Sequence, residues 1–251
     1  MERLYRMGDG ADDGPTETSV AEFLAEYEPT SAGSGDRPFF AANMVTSLDG
    51  RAAVEGRSKL LGSERDAELL LGLRSLFDAL LIGAGTLRAE QYGPIIRDPG
   101  LREKREAAGL EPSPLAVVVT RSFDLPWDCS LFTEGIGKVV LYTGTDREPP
   151  PTATEVEVVA SDGDPNLTDL AAWLAGNGVR SVLCEGGPTI LGELVDRDLL
   201  DELFLTVHPV ITGEADAPRI VEGPVGARNS FELVELSREG DELFTRYRPR
   251  R

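Results

Sequence analysis

The stretch Ser181-Val182-Leu183-Cys184-Glu185-Gly186-Gly187-Pro188-Thr189-Ile190-Leu191-Gly192-Glu193-Leu194 decides how this chain is read. An apolar strand runs into two glycines, and a proline and a threonine then open an amphipathic helix. Glycine has no Cβ, so backbone N–H groups come within contact distance of a ligand. Proline suits the first helical position, where its missing donor costs nothing. The free N–H groups and positive dipole end of a helix start favour a phosphate or pyrophosphate. The segment predicts a phosphate cradle at the carboxyl end of a strand, with a ligand-free strand-to-helix turn as the alternative.

Working outward, the pattern differs on the two sides. Downstream, Asp201 to Ile211, Phe231 to Leu236 and Leu243 to Tyr247 read as strands without helices between them, which predicts antiparallel pairing. Upstream, strands and helices alternate. Phe39 to Thr46 is a buried first strand that turns at Ser47-Leu48-Asp49-Gly50, and a helix runs from Ser63 to Phe77 behind a weak Ser63/Asp66 capping box. Strands follow at Ala79–Ile82, Leu115–Val119, Lys138–Tyr142 and Val156–Val159, then a helix from about Asn166 to Ala175 leads to the Cys184 strand. The expected fold is α/β: a mixed, mostly parallel central sheet flanked by helices, finishing in antiparallel strands. Residues 1–37 read as an extension, partly flexible or wrapped on the surface, with a short helix at Ser19–Tyr27; residues 38–251 read as a single domain.

Composition excludes several classes. A net charge of −19 and a pI near 4.4 argue against nucleic acid or an anionic membrane as partner. No apolar run approaches the roughly 18 residues of a membrane span, and the start Met1-Glu2-Arg3-Leu4-Tyr5-Arg6 has no signal-peptide core. A cytoplasmic location is expected. Two cysteines, Cys129 and Cys184, are too few for a disulfide framework or a zinc site, and no metal is expected. The lone histidine, His208, leaves Ser–His or Cys–His catalysis improbable and reads as structural.

Three strand ends carry small or hydroxylic residues: Gly83-Ala84-Gly85-Thr86, Thr120-Arg121-Ser122 and Glu185-Gly186-Gly187. Ligands of open sheets gather at the carboxyl ends of strands. Three such ends suggest a long ligand with several phosphates, such as a dinucleotide. Gly83-Ala84-Gly85-Thr86-Leu87-Arg88 lacks the full G-x-G-x-x-G spacing, which disfavours an ordinary Rossmann unit.

Taken in order, Ser47-Leu48-Asp49-Gly50, Ile82 to Glu90, Glu185-Gly186-Gly187-Pro188-Thr189 and Leu200-Asp201-Glu202-Leu203 resemble the RibD carboxyl-terminal reductase family, over roughly residues 38 to 248. The resemblance implies a dihydrofolate-reductase-like fold, NADPH as cofactor and a homodimer. It implies reduction of 5-amino-6-(5-phosphoribosylamino)uracil to its ribityl product in riboflavin biosynthesis, by hydride transfer to the ribose imine carbon. On the cofactor side it points to Thr86, Glu90, Thr120, Arg121, Ser122, Gly186, Gly187, Pro188, Thr189, Ile190, Leu191 and Gly192. Arg121 and Ser122 suit a 2′-phosphate, because guanidinium and hydroxyl groups bind a dianion well. On the substrate side it points to Asn43, Ser58, Arg74, Pro94, Arg97 and Glu185, with Arg74 and Arg97 as an anion trap. Glu185, an acceptor-only group, would pair with pyrimidine N–H donors. Asp49 falls near the nicotinamide end or caps a turn. Catalytic candidates are therefore Asp49, Glu90 and Glu185.

Three departures from the family pattern matter. Asn43 stands where many members carry a lysine, so the proton source becomes water or Glu90. Leu60 replaces a position that can be aromatic. The H-x-E and P-C-x-x-C pair of a zinc deaminase is absent, so a separate deaminase is expected to supply the substrate. The alternatives are a dihydrofolate or other pteridine reductase on the same fold, and an NADPH-binding protein without turnover.

Overall fold

A computed structural model describes residues 1–8, 14–33, 35–223 and 229–250. In chain order its strands are β1 (Glu2–Arg6), β2 (Thr16–Glu17), β3 (Phe39–Thr46), β4 (Ala79–Gly83), β5 (Leu115–Thr120), β6 (Lys138–Thr143), β7 (Glu155–Ala160), β8 (Ser181–Cys184), β9 (Leu200–Val207), β10 (Phe231–Glu239) and β11 (Glu242–Pro249). The helices are α1 (Val20–Leu24), α2 (Glu64–Arg74), α3 (Ala84–Glu90), α4 (Pro99–Ala107), α5 (Ser130–Thr133), α6 (Leu167–Gly176) and α7 (Pro188–Asp196). The mostly parallel α/β architecture with antiparallel carboxyl-terminal strands is the one expected. Two compact units divide the chain. One holds Met1–Tyr27, Phe40–Gly72 and Pro188–Arg251, the other Glu28–Phe39 and Leu73–Gly187.

In the second unit, five parallel strands run in the order β8-β4-β5-β6-β7. Parallel strands are covered on both faces, so they read as unbroken apolar runs. Leu80, Leu81, Ile82, Val117, Val118, Val139, Val140, Leu141, Val182 and Leu183 are all fully buried. The order places the carboxyl ends of β8, β4 and β5 side by side. Three chemically suggestive segments therefore share one edge: Glu185–Gly187, Gly83–Thr86 and Thr120–Ser122.

In the first unit the order is β2-β1-β10-β11-β9-β3, antiparallel throughout except for the β9–β3 pair. Residues 1–37 are not uniform. Residues 9–13 and 34 of the expected extension lie outside the described residues. Of the rest, β1 pairs with β10, and α1 opens on a reciprocal Ser19/Glu22 capping box. Helix α1 buries Val20, Phe23 and Leu24; the Phe23 and Tyr27 rings meet Phe204 at 6.3 and 5.2 Å.

Several boundaries differ from expectation for local reasons. The strand expected over 201–211 stops at Val207, because His208 N–H turns to the Thr46 carbonyl (2.8 Å) and Pro209 has no donor for a ladder. The segment Gly83–Thr86, read as a strand end, closes β4 at Gly83 and runs directly into α3, with Gly83 in extended backbone as its N-cap. Helix α4 was not expected. Asp98 caps it, accepting from Leu101 N–H at 2.8 Å, and Pro99 holds the first turn.

Candidate functional site

Two backbone bonds bind the turn after β8 to β4. Glu185 N–H donates to the Leu81 carbonyl at 3.1 Å, and Gly83 N–H donates to the Gly186 carbonyl at 2.9 Å. Gly186 has φ +111°, open to glycine and strained for other residues. The Gly186–Gly187 peptide is cis. A Cβ at Gly187 would lie 3.1 Å from Thr86 Oγ1, so the threonine hydroxyl sits directly against the bare backbone. Sequence reasoning singled out all three residues, and the structure brings them together.

Glu185 is the centre of a buried polar group. Arg74 Nε donates to Oε1 at 2.7 Å and Nη2 to Oε2 at 2.6 Å, a bidentate fork. The Tyr92 hydroxyl donates to Oε2 at 3.1 Å, and the Arg74 guanidinium lies 5.6 Å from the Tyr92 ring centroid. Side-chain exposure is 19% for Arg74 and 3% for Glu185. Burial works against the Arg74 charge, but the adjacent Glu185 carboxylate outweighs it and holds the guanidinium pKa above its ordinary value. Burial, and then the Glu185 charge, push the Tyr92 phenol well up, so it stays a donor. Tyr92 was missed from sequence; its only signal was an aromatic hydroxyl in the Gln91–Ile96 loop beside Pro94.

The remaining second-unit candidates spread around this group. Pro94 is buried and Glu90, the last residue of α3, is half-buried. Arg97 is 62% exposed and donates to Glu134 at 2.6 Å. Arg74 and Arg97 thus border the same loop but take different carboxylates. Arg121 and Ser122 are exposed. Thr120 is buried, and its Oγ1 has no hydrogen-bond partner among the described residues.

Other candidates belong to the first unit. Asn43 is 8% exposed, with no partner for its Oδ1 among the described residues. Ser58 is half-buried on a 3₁₀ turn. Asp49 ties two loops: its carboxylate accepts from Ser47 Oγ (2.6 Å), Thr212 N–H (3.2 Å) and Gly213 N–H (3.1 Å), and these bonds hold its pKa well below the usual carboxylate range. Helix α7 buries Ile190 and Leu191 and leaves Thr189 exposed beside half-buried Pro188. Gly192 has a packing reason of its own, since a Cβ there would fall 2.2 Å from the Glu222 carbonyl oxygen.

A glycine turn, a hydroxyl against it and a buried carboxylate fork together suit a phosphorylated ligand with N–H donors. The RibD C-terminal domain profile matches residues 38–244. The chain belongs to the RibD C-terminal family. A relative from Archaeoglobus fulgidus, named 2,5-diamino-6-ribosylamino-4(3H)-pyrimidinone 5′-phosphate reductase, is 30% identical over 84% of this chain and 99% of its own length. A protein of the same name from Methanothermobacter thermautotrophicus is 28% identical, over 84% of this chain and 98% of the relative. The crystal structure of a pyrimidine reductase-like protein from Corynebacterium diphtheriae shares the fold at TM-score 0.77 and 23% identity, covering 93% of this chain and 100% of that one. Among the described residues of this RibD C-terminal domain no helix is long and apolar enough to cross a membrane, and no cluster of ligating side chains forms a metal site.

Proposed function

We propose that this protein is an NADPH-dependent reductase of a phosphoribosylaminopyrimidine in riboflavin biosynthesis, converting the ribosyl group to ribityl. The observation that carries this reading is the match to the archaeal reductase over 99% of that protein's length. The relatives' name keeps the 2-amino group on the pyrimidine and so supports the diaminopyrimidinone phosphate as substrate, alongside the deaminated uracil that the motifs alone suggested. A cytoplasmic homodimer, with deamination left to a separate protein, completes the proposal.

The residues present fit a nicotinamide dinucleotide. The Thr120 hydroxyl, which has no partner among the described residues, the Thr86 hydroxyl and the bare Gly186–Gly187 backbone would hold its phosphates and ribose, with Arg121 and Ser122 exposed at the surface for a 2′-phosphate. When bound, the nicotinamide supplies a hydride to the sugar carbon attached to the pyrimidine's amino nitrogen. The chain's own task is to orient the substrate. A carboxylate has about four acceptor sites. Arg74 and Tyr92 fill three at Glu185, which leaves one for a pyrimidine N–H. The fork fixes the orientation of this carboxylate before substrate arrives. Arg97, already exposed, exchanges Glu134 for the substrate phosphate. Asn43, Ser58, Asp49 and the start of α7 keep the roles the family resemblance implies.

The test is NADPH oxidation followed by absorbance with three substrates in parallel: the diaminopyrimidinone phosphate, its deaminated uracil and dihydrofolate. Turnover with either pyrimidine phosphate supports the proposal and identifies the base. Turnover with dihydrofolate alone, or NADPH binding without turnover, overturns it.

A further inference from the structure

Helix α4 carries one side chain that the reductase reading does not use. Arg105 is 2% exposed and heads the largest fully buried side chains among the described residues. Among the described residues its guanidinium hydrogen-bonds only to main chain. Nε donates to the Glu111 carbonyl at 2.8 Å, and Nη1 donates to the Ser75 carbonyl at 2.8 Å and the Arg74 carbonyl at 3.2 Å. Nη2 has no partner among the described residues. Burial lowers its pKa to about 10, against the pull of the Asp78 and Glu111 charges.

A buried cation with an idle donor is costly, and an apolar side chain of similar length would fill the space more favourably. Its value lies in what it holds. The last carbonyls of a helix have no partner within the helix, and a cation there also meets the negative end of the helix dipole. Arg74 is the last residue of α2, and its side chain forks Glu185. Arg105 is itself fixed where α4 closes: Ala108 and Leu110 both donate to its carbonyl at 3.0 Å.

We propose that Arg105 is a positioning residue: it pins the Arg74–Ser75 main chain and so aims the Arg74 guanidinium at Glu185. The proposal rests on the reductase reading of that site. Misplacing a site group by about 1 Å costs on the order of 100-fold in rate, and a tilt at the Arg74 Cα is magnified along its long side chain.

The test is a double-mutant cycle. Arg105→Met, Arg74→Met and the double variant are compared with the unaltered protein in kcat and KM for the pyrimidine phosphate, in KM for NADPH and in urea unfolding. Arg105→Met is expected to lower kcat/KM for the pyrimidine roughly 10- to 100-fold while the NADPH KM holds. In the Arg74→Met background, the same change should leave kcat/KM within about twofold, because its route of action is gone. Equal losses in both backgrounds, or wild-type kcat/KM in folded Arg105→Met, overturn the proposal. Should Arg105→Met fail to fold, Arg105→Lys is run through the same cycle, with the same two outcomes deciding. If the unaltered protein reduces neither pyrimidine phosphate, the reductase reading has failed. The unfolding cycle then decides alone: coupling between positions 105 and 74 supports the pinning, and additivity rejects it.

Discussion

The guanidinium of Arg74 and the carboxylate of Glu185 meet in a bidentate pair, Nε to Oε1 at 2.7 Å and Nη2 to Oε2 at 2.6 Å, across 111 residues of sequence. With Glu185 only 3% exposed, each charge is the other's main solvation. Glu185→Gln removes the negative partner and leaves Arg74 buried without compensation. Unfolding free energy should fall by about 3 kcal/mol, the low end for breaking a buried pair, and pyrimidine reductase kcat/KM should fall by about 100-fold. Urea unfolding and steady-state rates on the same preparation check both. A variant as stable as the parent would mean that water replaces the fork.

Tyr92→Phe separates orientation from charge. It keeps the ring near Arg74 and deletes only the 3.1 Å bond to Glu185 Oε2. A hydrogen bond to a charged acceptor contributes about 1.5 kcal/mol, so the expected loss is of that size in stability and roughly tenfold in kcat/KM. The freed acceptor site on Glu185 gives a second readout: discrimination between the diaminopyrimidinone and uracil substrates should change more than NADPH KM does.

Asp66 gives the first unit a pH-dependent stability. Its carboxyl is raised from 3.8 to about 6 by burial first and then by the Glu242 charge, while the Thr206 hydrogen bond and His208 oppose the shift. The folded chain therefore holds this proton where the unfolded chain has lost it. Stability from this group is full below about pH 4 and declines as pH rises to about 6, by about 3 kcal/mol in total. Asp66→Asn should flatten that slope and raise stability at pH 7. Chemical denaturation at pH 4, 5, 6 and 7 reads it directly, and an unchanged slope in Asp66→Asn would assign the effect elsewhere.

Gly186→Ala puts a side chain on a residue at φ +111° and within about 3.5 Å of Thr86 Oγ1. A non-glycine residue held in such a region costs of order 1–3 kcal/mol. The turn should shift, and the KM for NADPH should rise at least tenfold with less effect on the KM for the pyrimidine. The reverse split would place the dinucleotide away from this turn.

The parallel sheet was legible because strands buried on both faces advertise themselves: Leu80-Leu81-Ile82 and Val139-Val140-Leu141 are apolar without interruption. Elements without such a face were not. Helix α4 has Arg105 as its one buried residue, so no apolar stripe marks it, although Asp98 and Pro99 carry ordinary start signals. Strand β1 is Glu-Arg-Leu-Tyr-Arg, with little alternation, and owes its form to pairing with β10. Within the candidate site, Glu185, Gly186, Gly187 and Thr86 were visible as motif. Tyr92 and Arg105 were not, since a loop tyrosine and a helical arginine look the same whether solvated or buried.

The sequence by itself determined the alternation of strands and helices, the antiparallel finish and the glycine turn after β8. These follow from local periodicity and backbone freedom, which a chain carries residue by residue. Only the tertiary structure decided that Arg74 faces Glu185, that Tyr92 completes the group and that Arg105 holds the end of α2. Those are pairings of charge and donor across long stretches of chain. Burial gives them their strength, and burial exists only once the sheet has closed over them.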